Sequence, residues 1–330
     1  MRQTEMMKKN KPLANISLDL DNQWSYMKVH GDEGWDQYPS YLEIVVPFVL
    51  DLLDELGLSI TFFIVGKDAA IEKNKEILKS IVDRGHEIGN NSFNHESWLK
   101  TYSKEKIETE IIQAEEAIFQ ATGKITTCFR GPGFSWSNDL LEVLQKRNYR
   151  FDASLLPTYI SPLMRAYYFW NSKLTKEERE SRKELFGSFK EGFYSIKPFF
   201  WKLRNSQKIM EIPVTTIPLF KIPFHLSYIL YISSYSTLLM KLYLSSAIFM
   251  FKITNSQPSY LLHPLDLISG DKIPQLAFFP GMNIPTNKKI DVFKYVLLKL
   301  KQNFEILPML SFADEYTKNN DYLKNVNLPN

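Results

Sequence analysis

At 330 residues the chain is long enough for two ordinary domains, but an α/β barrel commonly uses that much chain for one. An apolar fraction of 44% with 14% aromatic residues supplies a sizeable core and excludes a disordered chain, and 40 basic against 37 acidic residues leave a net charge of +3, too balanced for general attraction to nucleic acid. The one cysteine, Cys128, cannot form an intramolecular disulfide, and residues 1–15 are basic without the apolar run of a secretory signal, so a cytoplasmic protein is expected.

The first half alternates short apolar runs with amphipathic stretches, the pattern of βαβ units and a mostly parallel sheet. Residues 16–21 read as a strand. The stretch 24–36, with Gly31, Gly34 and two tryptophans, reads as extended and sets His30 beside a cleft. A helix follows over 40–56, with Pro39 before it and Gly57 to end it, and then a strand over 60–65. Helix 68–84, strand 87–90 and helix 104–120 come next, the last with Ile107, Ile111, Ala114 and Ile118 along one face. A strand over 126–130 and a helix over 137–147 complete the alternation.

After Ser154 the pattern breaks. Residues 155–205 and 216–256 read as insertions in a single domain spanning 1–330, helical and lying over or beside the mouth of the site. The first carries the aromatic runs 167–170 and 199–201, which read either as a lid that stacks on a ligand or, better, as core. The second holds the apolar run 226–251, which Lys241 interrupts; it predicts a buried helix pair or a membrane-surface patch, not a spanning helix. Strands return at 208–214 and 260–263, a helix at 290–302 closes the fold, and the last dozen residues read as frayed.

Five short segments carry chemistry. Asp19-Leu20-Asp21 ends the first strand, where period-two geometry points both carboxylates to one face; taken alone, the pair reads as a loop cap. The others are Asn91 to His95, Arg130-Gly131-Pro132-Gly133-Phe134, Phe151-Asp152-Ala153-Ser154 and Leu261-Leu262-His263-Pro264. His263 alone would pass for a core histidine, and Asp152 and Glu211 for strand-end turn caps. His86 reads as structural, and His225 as surface or packing.

In this order the segments resemble the NodB-type polysaccharide deacetylases, over roughly 16–154 and 209–280. The resemblance implies an α/β fold, a distorted (β/α) barrel with a helical insertion, and a hydrolase that removes an N-acyl group from an amino sugar of a polysaccharide or its lipid-linked precursor. It implies Asp19 as general base, Arg130 as the partner that holds Asp19 ionised, His263 as general acid, and Asp21 and His95 as ligands of a divalent metal. Asp152, Pro132, Gly133 and Phe134 would face the carbohydrate, and a backbone N–H of 89–92 or 131–134 an oxyanion.

One position departs from the pattern. Asn91 stands where the family has its first histidine ligand, and a neutral amide oxygen suits Mn, Mg or Co better than Zn. Two further readings follow: a sugar-binding homologue impaired by Asn91, and a hydrolase of another non-peptide C–N bond such as a formamide or cyclic amide. The partners expected are carbohydrate, lipid-linked or free, and a peripheral contact at the inner face of the membrane.

Overall fold

The computed structural model describes residues 11–172, 174–181, 187–320 and 323–329. In chain order come β1 (Leu13–Asp19), α1 (Gln23–His30), α2 (Leu42–Leu56), β2 (Thr61–Ile64), α3 (Gly66–Ala70), α4 (Lys75–Asp83), β3 (Glu87–Asn90), α5 (Lys104–Thr122), β4 (Cys128–Phe129), α6 (Asn138–Lys146) and β5 (Phe151–Asp152). They are followed by α7 (Ser161–Asn171), α8 (Lys176–Ser181), β6 (Phe199–Lys202), β7 (Lys208–Glu211), α9 (Leu226–Tyr235), α10 (Thr237–Ile253), β8 (Ser259–Leu262), α11 (Thr286–Asn303), β9 (Glu305–Leu307), α12 (Met309–Lys318) and β10 (Asn325–Asn327).

Parallel strands neighbour one another in the order β8, β1, β2, β3, β4, β5, β7. The extended chain after β7 then turns back on β8, where the Thr215 N–H donates to the Ser259 carbonyl at 3.1 Å. The sheet thus curls into a distorted barrel whose last gap is bridged by one backbone bond and not by a full ladder. On β1 the alternation is strict: Ala14, Ile16 and Leu18 pack outward with Val45, Val49 and Leu53 of α2, while Ser17 and Asp19 point inward. Inside, Phe63, Cys128, Phe151 and Met210 meet Met309 and Phe312 of α12. That helix plugs the N-terminal end of the barrel, its first N–H groups donating to Thr61 Oγ1 and Glu87 Oε2 at the starts of β2 and β3.

Several elements differ from the sequence reading, each for a local reason. The stretch taken as extended is α1, because Asn22 Oδ1 accepts the Gln23 N–H at 2.8 Å and Gly31, at φ 90°, ends the helix. The helix expected over 68–84 is two, α3 and α4. Between them Ile71 is extended and the Asn74 side chain donates to the Asp68 carbonyl at 2.9 Å. The first insertion is not wholly helical: Phe199–Lys202 is a strand, antiparallel to β7, with Trp201 fully buried. The tail is not frayed throughout, since Asn325–Asn327 adds to β6 and sets Val326 against the cluster around Trp201. Residues 1–10, and 182–186 of the Lys/Glu/Arg-rich stretch, lie outside the described residues.

Candidate active site

The chemistry gathers at the C-terminal ends of the strands, where βα loops converge in α/β barrels. Asp19 is the last residue of β1; Asn91 follows β3, Arg130 follows β4 and His263 follows β8. Arg130 is almost fully buried, with Nη1 3.5 Å from Asp19 Oδ1, Nη2 3.2 Å from Ser17 Oγ and its guanidinium 4.8 Å from the centre of the Phe63 ring. It therefore faces Asp19. The net effect on Asp19 is the opposite of the expected one: burial pushes the carboxyl above its ordinary value, and the nearby Arg130 and His263 charges only partly offset this.

The loop 91–95 is built to hold strained backbone. Ser92 and His95 both have positive φ, 59° and 50°. Asn90 Oδ1 accepts the Ser92 N–H at 2.8 Å, and Glu110 of α5, itself buried, accepts the N–H groups of Phe93 and Asn94 at 3.2 and 2.9 Å. This brings His95 Nε2 to 2.9 Å from Asp21 Oδ1. Burial would raise the Asp21 carboxyl, but the charge and hydrogen bond of His95 and the charge of His263 outweigh it and leave it below the ordinary value.

Asn91 is 1% exposed, and neither Nδ2 nor Oδ1 has a hydrogen-bond partner; Asp19 Oδ1 and His95 Nδ1 are likewise unsatisfied. Buried polar atoms without partners are costly, so this cluster suits a bound ligand atom or ion. Among the described residues no three His, Cys, Asp or Glu side chains come together to hold a metal. Asp21 and His95 are the anionic and imidazole donors that meet, 2.9 Å apart, and the unpartnered amide of Asn91, four residues before His95, would add a neutral oxygen. A hard divalent ion fits that donor set.

His263 is one of the less buried members, its side chain 26% exposed, with Nδ1 3.8 Å from Asp266 Oδ2. Burial pulls its pKa down, but the neighbouring Asp266 carboxylate and the charges of Asp21 and Asp19 push it up to about 9. Asp266 was not singled out in the sequence, although His-Pro-Leu-Asp is the spacing of a capped turn; its Oδ2 also accepts the His263 N–H at 3.0 Å. His225 packs in the same wall, its ring 6.1 Å from that of Phe134, and burial lowers its pKa to about 3, so it stays neutral.

Other expected residues fall outside the cluster. Asp152 is fully buried, accepts from Ser154 Oγ at 2.6 Å and pairs in register with Glu211 across β5 and β7, so it cannot touch a carbohydrate; it fixes the strand ends instead. Pro132 is buried, while Gly133 and Phe134 are half-buried in the 3-10 turn after Arg130. Of the N–H groups expected to serve an oxyanion, those of Asn91, Ser92, Gly131 and Phe134 are already engaged, which leaves Gly133. His86 is structural, its Nδ1 accepting the Ile60 N–H at 3.2 Å, and His30 stacks on Phe278 and pairs with Asp32. Behind the loop a network invisible in the sequence joins Asn22, Trp24 and Asp68, both side-chain N–H groups donating to Asp68 Oδ1 at 2.7 and 2.9 Å; burial raises Asp68 to about 6.

Residues 32–151 match the polysaccharide deacetylase family, a span that includes Asn91, His95 and Arg130 but neither Asp19 and Asp21 nor His263. A peptidoglycan deacetylase of Helicobacter pylori is 32% identical over 120 residues, 36% of this chain and 40% of that protein. A peptidoglycan-N-acetylglucosamine deacetylase of Bacillus cereus is 28% identical over 145 residues, 44% of this chain and 63% of that one. The chain thus matches less than two thirds of the length of either relative. A solved structure from Mycobacterium smegmatis, thought to be a polysaccharide deacetylase, shares the fold at 15% identity, with a TM-score of 0.57 over 98% of this chain and 96% of that one. Residues 32–151 thus carry the match to the polysaccharide deacetylase family, and the fold is shared along nearly the whole chain.

Proposed function

We propose that the chain is a metal-dependent hydrolase that removes an N-acyl group, first of all acetyl, from an amino sugar of a polysaccharide or its lipid-linked precursor. The carrying observation is the meeting of three parts at one barrel end: a carboxylate facing a buried arginine, an aspartate paired to a histidine beside an unsatisfied amide, and a histidine held protonated by Asp266. Asp21, His95 and the Asn91 oxygen would hold the ion, with Mn, Mg or Co favoured over Zn by the neutral oxygen. Such an ion, when bound, polarises the amide carbonyl and acidifies water.

The residues of the chain account for the proton movements. Asp19, its basicity increased by burial, accepts the proton of the attacking water, and Arg130 fixes its orientation. His263 donates a proton to the amide nitrogen as the C–N bond breaks, so that amine and carboxylate leave. The Gly133 N–H is the backbone donor open to the carbonyl oxygen.

The test is acetate release from N-acetylated chitooligosaccharide and peptidoglycan fragments, with protein stripped of metal and reloaded with Mn, Mg, Co or Zn. Activity restored by one ion and lost in Asp19→Asn supports the reading. Release of formate or ammonia instead would turn it to another C–N bond, and sugar binding without product in every metal form would leave a binding protein whose chemistry Asn91 has removed.

A further inference from the structure

Helices α9 and α10 form a hairpin whose inner sides pack on the barrel through Ile229, Leu230, Met240, Leu244, Ala247 and Phe251. Their outer side is apolar as well. On α10, Leu238, Leu242, Phe249 and Ile253 are between 55% and 67% exposed, and helical geometry aligns them in one stripe; on α9, Tyr231 and Tyr235 are 63% and 73% exposed. Isolated exposed apolar residues need no explanation, but a continuous stripe along two adjacent helices does.

Charge indicates what covers it. From 212 to 265 the sequence holds no Asp or Glu, although the chain has 37 of them, and its only Lys or Arg residues are Lys221, Lys241 and Lys252. Lys241 and Lys252 are both exposed and fall along one edge of the α10 stripe. An apolar face edged by lysines, with tyrosines beside it and no acid on either helix, matches an anionic lipid surface. A second copy of this chain would bring the same lysines against themselves. Among the described residues no helix is long and apolar enough to cross a membrane, so the hairpin lies on the surface.

The face is continuous with the site. The residue before α9 is His225, in the wall beside Phe134, and Ser227 Oγ donates to Asp266 Oδ1 at 2.6 Å, the carboxylate that carries His263. Tyr231 and Tyr235 follow one and two turns beyond Ser227, roughly 6 and 12 Å along the helix. We infer that the outer face of α9 and α10 docks the protein on an anionic lipid bilayer and so brings the mouth of the site to the membrane surface. The docking stands on the surface alone; only delivery of a lipid-linked amino sugar to the site rests on the deacetylase reading.

The full chain should sediment with vesicles of phosphatidylcholine containing phosphatidylglycerol, less with phosphatidylcholine alone, and less as salt rises. Leu242→Ser with Phe249→Ser should weaken binding at least tenfold, and Lys241→Gln with Lys252→Gln several-fold, mainly on anionic vesicles. Circular dichroism should show both variants folded, since all four side chains are exposed. Absence of binding to either vesicle overturns the inference. So does a concentration-dependent dimer, seen by light scattering, that the Leu242 and Phe249 substitutions dissolve while vesicle binding is absent or unchanged. Vesicle binding by a chain that releases no acetate would leave docking intact and defeat the deacetylase reading instead.

Discussion

Asp21 and His95 meet with Oδ1 and Nε2 2.9 Å apart, while the amide of Asn91, four residues before His95, lies buried with both polar atoms unpartnered. An imidazole at 91 would give the cluster a third strong donor. Asn91→His should therefore raise the divalent metal retained after dialysis at least tenfold, with acetate release following it. Elemental analysis of both proteins checks this. Metal content unchanged by the substitution would remove residue 91 from the donor set, and chelation should abolish activity in both forms.

Asp266 should set the alkaline limit of turnover. A general acid works while protonated, so the rate falls as pH rises through the His263 pKa, which lies at about 9 against an ordinary 6.5. The titratable groups facing His263 are Asp266, Asp21, Asp19 and His225. Asp266→Asn removes the hydrogen-bonding carboxylate and keeps the shape, so the alkaline limb should move to lower pH by about one unit or more. A pH–kcat profile reads this directly; an unmoved alkaline limb would show that His263 is not the acid or that Asp266 does not tune it.

Asp266 also shows where sequence reading stops. Asp19, Asp21, His95, Arg130 and His263 were legible because each ends a strand or lies in its loop, and parallel strands deliver their C-terminal ends to one place. The partners that tune them were not. Glu110 reaches the His95 loop from the middle of α5, and Asp68 meets Asn22 and Trp24 from another helix, contacts that no spacing announces. Asp152 misled because a strand-end carboxylate reads the same whether it faces the cleft or the next strand, and only the pairing of β5 with β7 turns it to Glu211. In the fold, Trp24 to His30 became a helix through a cap at each end, a one-residue signal outweighed in the sequence by two tryptophans and two glycines.

The Asp152–Glu211 pair makes stability depend on pH in an unusual direction. Burial raises both carboxyls above their ordinary values, and their mutual repulsion raises Glu211 further, so Glu211 keeps its proton and donates toward Asp152. The folded state thus binds more protons than the unfolded one. Stability should be greatest below the unfolded carboxyl pKa, about 4, and decline as pH rises through the folded values. Glu211→Gln needs no proton, but its single oxygen can accept from only one of the two buried donors that Glu211 holds, the Trp201 Nε1–H at 2.9 Å and the Leu155 N–H at 3.1 Å. It should therefore lower Tm at pH 5 and lower it less at pH 8; a loss that did not depend on pH would show that the pair does not hold a proton.

Gly131 couples the stability of the turn after β4 to the position of Arg130. Its φ of −78° and ψ of 130° are open to any residue, so backbone freedom is not the reason for glycine here. Space is: a Cβ would lie 1.9 Å from the Ser135 carbonyl oxygen and 3.1 Å from Ser154 Oγ. Gly131→Ala must open the turn, loosen the 2.7 Å bond from the Gly131 N–H to Ser154 and shift the adjoining Arg130 away from Asp19. The expected result is a loss of about 2 to 4 kcal/mol of stability and more than a tenfold fall in kcat. Gly123 is the control, because its φ of 72° penalises alanine while its Cβ would meet nothing within 4 Å. Gly123→Ala should cost about 1 kcal/mol through strain alone and leave kcat unchanged. Thermal melts beside kcat for the two variants separate the cases, and a Gly131→Ala enzyme that melts lower but turns over normally would uncouple the turn from Arg130.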